Sequence, residues 1–206
     1  MQNELSQNEL GIDATQQRRG RMIFIMMAIF FIVPIVVVVL MIKFDWRPGG
    51  QSMGELVQPP RLLQPPSHLL GNKGVAQDKF WGDKWNMVVV AETCEASCMS
   101  KLHDMRQIHV STYKDIIRVQ RVLITHQADV SKLVKMYPDM MILNSPAEGV
   151  NALAAQFNIK DENALQTNRI YFVDPLGHVM MSYPATTPAA SIRKDLVRLL
   201  KFSWAG

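Results

Sequence analysis

The sequence predicts an α/β domain preceded by one N-terminal transmembrane helix, and three observations predict it. Met22 to Ile42 is an uninterrupted apolar stretch. From Phe80 onward, short apolar runs of strand length alternate with segments whose apolar residues recur at helical spacing. The only two cysteines, Cys94 and Cys98, stand four apart directly after the run Met87-Val88-Val89-Val90-Ala91.

At 1.5 Å per residue the first apolar stretch spans roughly 31 Å, about one bilayer core. Pro34 lies inside it, which a membrane helix tolerates better than a water-soluble one. Arg18, Arg19 and Arg21 stand on its N-terminal side, against Lys43 and Arg47 on the other. That excess of cations places the N-terminus in the cytoplasm, with Trp46 as an interfacial anchor opposite. A cleaved signal peptide would have a shorter apolar region and small residues before its cleavage site, which Lys43-Phe44-Asp45 does not supply. The expected order is a polar cytoplasmic tail over 1–21, disordered over 1–17, then an uncleaved signal anchor over 22–42. A Pro/Gly-rich tether and lead-in follows over 43–77, with Pro59-Pro60 and Pro65-Pro66, and the folded domain occupies 78–206. The domain then faces the periplasm or an equivalent space.

The formal net charge of +4 is not gathered into a long Lys/Arg run or an aromatic-interleaved patch, which excludes nucleic acid as a partner. About 160 exported residues suffice for one compact domain. No internal repeat is visible.

Within the domain, Trp85 to Ala91 reads as a strand buried on both faces. Met99 to about Lys114 reads as a helix, with Leu102, Met105 and His109 at helical spacing. Arg121 to Thr125 is a second buried strand, Val130 to Met136 a short helix closed by Pro138, and Met140 to Leu143 a short strand. Ser145-Pro146-Ala147-Glu148 is a capping box that opens a helix carrying Val150, Leu153, Ala154 and Phe157. Ile170 to Asp174, the turn Pro175-Leu176-Gly177 and His178 to Tyr183 form a hairpin. Thr187-Pro188 starts a last helix with Ile192, Leu196, Leu199 and Leu200 on one stripe. A cysteine loop after the first strand of this succession is the order of a thioredoxin-like domain, with the cysteines at the C-terminal edge of the sheet.

Two thiols at a helix N-terminus meet unpaired amides and the helix dipole, which favour thiolate. Such a pair can ligate a soft metal ion or cycle through a disulfide. A bridge this local encloses too little chain to staple a fold. Glu95 and Ser97 are polar, which argues against two buried packing cysteines.

The stretch Phe80-Trp81-Gly82-Asp83-Lys84-Trp85 through Thr93-Cys94-Glu95-Ala96-Ser97-Cys98 resembles the Sco/SenC family. The resemblance extends through Leu123-Ile124-Thr125, the helix ending at Phe157 and the turn Val173-Asp174-Pro175-Leu176-Gly177. It implies a membrane-anchored thioredoxin fold in a bacterial inner membrane, acting as a copper chaperone in the assembly of cytochrome c oxidase. Its implied partner is an oxidase subunit or another assembly factor, and its implied cargo is Cu(I). Trp46-Arg47-Pro48, Gly54-Glu55-Leu56-Val57 and the tail from Lys194 to Trp204 likewise look like short proteins associated with bacterial oxidase assembly.

The family completes its copper site with a histidine just before the hairpin strand. Here that region reads Gln166-Thr167-Asn168-Arg169-Ile170, so Asn168 occupies the histidine position, and Glu95 replaces the family's proline. Asparagine is a poor Cu(I) ligand. His126, at the end of the Val122–Thr125 run and on the same sheet edge, is the candidate substitute beside Cys94 and Cys98. His103 reads as a surface residue, His109 and Met99 as packing residues, His178 as a turn residue and His68 as part of the tether. Three functions follow: an oxidase-assembly factor that handles copper or keeps copper-ligand cysteines reduced, a broader periplasmic thiol-disulfide oxidoreductase, or a non-catalytic assembly scaffold.

Overall fold

The structure, a computed structural model, describes residues 2–44, 52–64, 80–144 and 147–203, and separates into two compact units, 1–51 and 52–206. Trp46, Pro65-Pro66, His68, Trp204 and the capping residues Ser145 and Pro146 lie outside the described residues.

Among its described residues the first unit is one helix, α1 (Gln2–Lys43), with Pro34 inside it. Within Arg18–Lys43 an 18-residue stretch reaches a mean hydropathy of 3.3, and the segment is long and apolar enough to cross a membrane. The tail expected to be disordered over 1–17 is instead helical from Gln2. Its Gln, Glu, Leu and Ala residues are good helix formers, and prolonging an existing helix avoids the cost of nucleation.

Among its described residues the second unit is built on six strands: β1 (Glu55–Leu62), β2 (Trp85–Ala91), β3 (Val119–Thr125), β4 (Met141–Leu143), β5 (Ile170–Val173) and β6 (His178–Tyr183). They form one mixed sheet in the order β1-β6-β5-β2-β3-β4. β2 runs parallel to β3, with Val88 opposite Val122 and Ala91 opposite Thr125, so both strands end at the same edge. β5 pairs antiparallel with β2 and again with β6.

Every residue of β2 is buried, because both faces of the sheet are covered. Met87 and Val89 face a core with Leu102, Met105 and Ile108 of α2 (Ala96–Val110) and Ile192, Leu196 and Leu200 of α6 (Ala189–Phe202). Val88 and Val90 face the opposite core with Val150 and Leu153 of α4 (Ala147–Ala154) and Phe157 in the short 3-10 turn after it. Each such side chain contributes about 1.5–3 kcal/mol when fully buried. The alternation places successive valines in different cores, which is why the run reads as continuously apolar.

The proline-rich stretch expected as tether and lead-in contributes β1, an edge strand antiparallel to β6. The pairing shifts register between Leu56 and Arg61, around Pro59 and Pro60. Proline has no N–H for the ladder, and an irregular edge position is where a sheet accepts it. α2 begins at Ala96, earlier than the expected Met99, and stops at Val110 before a 3-10 turn over Tyr113–Arg118. The earlier start brings Cys98 into the helix. Two further short helices, α3 (Ser131–Met136) and α5 (Ala164–Thr167), lead into β4 and β5.

Candidate functional site

Cys94 and Cys98 are joined in a disulfide with their Cα atoms 5.0 Å apart. Cys94 is half-buried in the loop after β2, immediately before the N-cap residue Glu95. Cys98 lies in the first turn of α2 and is 1% exposed, packed among the residues of the α2 core. The sequence expectation of a cysteine pair at a helix N-terminus and a sheet edge therefore holds. The Glu95 side chain does not cap the helix. Its carboxylate stays exposed at the cleft.

The loop is held at its base by main-chain bonds from both neighbours. Glu92 N donates to Leu165 O in α5 at 3.0 Å. Glu92 O accepts from His126 N and from Thr125 Oγ1 at the end of β3, each at 3.1 Å. Gln127 completes the clamp: its Oε1 accepts from Cys94 N at 3.1 Å, and its Nε2 donates to Asp129 O at 2.8 Å. Sequence reasoning missed Gln127. Only the parallel register, which ends β2 and β3 side by side, could have pointed to it.

Beside Cys98 opens a shallow cleft of about 350 Å³, lined by Glu92, Thr93, Glu95 and Ser97 on one side and Leu165, Gln166 and Asn168 on the other. Asn168 follows the last residue of α5 and takes the left-handed conformation (φ 48°), which asparagine adopts more readily than most residues. Its Oδ1 is buried without a hydrogen-bond partner. The neighbouring Arg169 is buried and ion-paired to Glu162 at 2.8 Å and to Glu55 of β1 at 3.1 Å. The Lys160 bond and Arg169 together hold the Glu55 carboxyl below its ordinary range.

The histidines take different places. His126 contributes its main chain to the clamp, while its half-buried ring keeps Nε2 without a partner and is not among the cleft-lining residues. His103 is exposed, and His178 pairs with Asp174 at 3.1 Å in the hairpin. His109 sits half-buried on α2 with Nε2 3.0 Å from both Ile116 O and Val119 O. Met99 packs against the α2 core, as its spacing suggested. Among the described residues, no three His, Cys, Asp or Glu side chains form a group that could hold a metal ion. When reduced, Cys94 and Cys98 would offer two sulfur donors to a soft cation, with no His, Asp or Glu grouped with them among the described residues.

A family model described as transmembrane-like, thioredoxin-like, C-terminal domain matches residues 85–203. No curated protein matches. Among solved structures, the chain resembles the copper-bound ScoI of Arabidopsis thaliana at 16% identity and a TM-score of 0.55, over 73% of this chain and 99% of that one. It resembles apo Sco1 of Thermus thermophilus at 17% identity and a TM-score of 0.56, over 75% and 98%. It also resembles BsSco, described as a member of the Sco family of cytochrome c oxidase assembly proteins with a disulfide switch, at 14% identity and a TM-score of 0.52, over 71% and 99%. These likenesses show a Sco-like thioredoxin fold.

Proposed function

The chain belongs to the transmembrane-like, thioredoxin-like C-terminal domain family, and on that premise we propose that it is a single-pass accessory factor in cytochrome c oxidase assembly that keeps a partner's copper-ligand cysteines reduced. The carrying observation is the unequal burial of the pair, with Cys94 half-buried before the helix N-terminus and Cys98 only 1% exposed in its first turn.

That inequality assigns the order of steps. In the reduced protein, the Cys94 thiolate attacks one sulfur of the partner's disulfide, forming a mixed disulfide and releasing the other sulfur, which takes up a proton. Cys98 then attacks Cys94 Sγ, closing the bridge seen here and releasing the partner's second thiol. Two electrons pass from this dithiol to the partner. A dithiol donor must restore them for another cycle. The excess of cations before the anchor supports a cytoplasmic N-terminus and a periplasmic domain in a bacterial inner membrane.

Copper handling is a second reading, favoured by one observation: the buried Nε2 of His126 has no partner, although its main chain is fixed to the cysteine loop. Cu(I) would be cargo on the Cys94 and Cys98 sulfurs, with His126 as third donor after a ring movement.

Replacing both cysteines by serine in the producing cell tests the proposal. Loss of oxidase copper content that an external reductant restores is the expected result. Unchanged copper content would leave a scaffold role in its place. Cu(I) titration of the reduced protein against a chelator, with and without His126→Ala, tests the second reading. Affinity no better than that of a simple dithiol peptide removes it.

A further inference from the structure

An apolar hollow of about 430 Å³ lies between β1 and α6, with Leu56, Trp85, Met181, Leu199 and Phe202 in its lining. Leu56 and Phe202 are 55% and 74% exposed, and because both line one hollow their apolar surface is continuous rather than scattered. The outward face of α6 beside it is cationic. Lys194, Arg198 and Lys201 are exposed and recur at i, i+4 and i+7, one stripe of the helix. Arg198 also lines the hollow, and Lys201 Nζ stands 5.8 Å from the Phe202 ring. The one carboxylate of α6, Asp195, is buried and accepts from Ser52 Oγ at 2.6 Å and from Met53 N and Tyr183 OH at 3.2 Å. Through Ser52 and Met53 the chain arriving from α1 is therefore clasped to α6 at this hollow, which Ser52 itself lines. From Lys43, the last residue of α1, that chain extends at most about 32 Å to Ser52.

We propose that this face of the C-terminal unit docks on an anionic lipid surface. The stripe of Lys194, Arg198 and Lys201 meets phosphate headgroups, while Leu56 and Phe202 enter the interface and a segment of acyl chain occupies the hollow. Apolar side chains flanked by cations bind at headgroup level through burial and charge together. An acidic protein would also satisfy the cations, but the short chain from a membrane-spanning helix keeps lipid within reach of this face at all times. Docking gives the cysteines one outlook. β2 leads from Trp85 at the hollow to Ala91 before the cysteine loop, about 20 Å at 3.3 Å per residue. The disulfide is thereby held clear of the headgroups, and it suits partners whose reacting sulfurs project from the bilayer by a comparable distance. The inference stands on the anchor and this surface, and holds whichever chemistry the cysteines perform.

The test uses the full-length protein, one copy per lipid nanodisc, in phosphatidylcholine alone or in phosphatidylcholine mixed with phosphatidylglycerol. Hydrogen exchange is followed at the amides of residues 53–56 and 199–203, with α3 and β4 as the reference. Exchange at the two segments is expected to be about 5-fold slower in the anionic discs at low salt, and the difference to vanish at high salt as the charges are screened. The double variant Lys194→Gln/Lys201→Gln should lose the difference at an unchanged melting temperature. Phe202→Ser should weaken the protection in anionic discs without removing its dependence on salt. Equal exchange in the two lipids overturns the proposal. So does protection that is the same in both lipids and disappears in Trp204→Ala, which assigns the hollow to the chain's own end. Protection that needs two copies per disc assigns it to a second copy and likewise overturns the proposal.

Discussion

The Cys94 amide and the Gln127 side chain are 3.1 Å apart, and this bond ties the more accessible cysteine to the end of the neighbouring strand β3. It fixes the loop without touching either sulfur. Gln127→Ala should therefore lower stability by about 1 kcal/mol, the ordinary net worth of one hydrogen bond. It should also raise hydrogen exchange at the Cys94 amide while leaving the far end of β2 protected. Uniform loss of protection across β2 would show that the bond supports the whole sheet.

Arg121 is fully buried on β3, with Asp139 as its ion-pair partner and the Tyr137 ring 5.8 Å from its guanidinium. Asp139→Ala strands that charge. A fully buried pair loses about 3–5 kcal/mol on such a truncation, and the half-exposed Asp139 places this one nearer 2 kcal/mol. Arg121→Met, which removes charge and desolvation together, should be milder. Urea unfolding of both variants checks the ranking.

Burial holds His109 below its ordinary pKa of 6.5, and the nearby Arg121 adds to this against the Ile116 and Val119 carbonyls and Asp139. The unfolded chain therefore binds a proton at pH values where the folded protein does not. Stability is retained above pH 6.5 and falls as the pH drops below it, with a slope of at most about 1.4 kcal/mol per unit. In His109→Gln the fall between pH 6.5 and 5.5 should flatten, as followed by thermal unfolding.

Gly177 closes the hairpin between β5 and β6 at φ 92°, and a Cβ there would meet Trp81 Cδ1 at 2.7 Å. An indole ring cannot step aside as a flexible chain end can. Gly177→Ala should cost about 2 kcal/mol from backbone strain and the clash together, seen as a lower urea midpoint with an unchanged m-value.

The legibility of this fold followed burial. β2 and β3 lie between two cores, so Met87 to Ala91 and Val122 to Ile124 are unbroken apolar runs and the strands stand out. The Cys94–Cys98 loop was legible because its chemistry is carried by residue type alone. β1 was not, because Pro59 and Pro60 look like linker residues and are tolerated only by an irregular edge. The helical tail was missed because its polar residues carry no periodic signal. Gln127 and the unpartnered Asn168 Oδ1 needed three dimensions: one depends on strand register, the other on what fails to reach it.

The order of the sheet decides where this protein can be cut. Its compact C-terminal unit begins at Ser52, whose Oγ bonds the buried Asp195 carboxylate at 2.6 Å, well before residue 78. A soluble fragment starting at 78 would lack β1 and bare the whole length of β6 to solvent. A bare strand edge recruits its like, so such a fragment should self-associate where one starting at Ser52 stays monomeric.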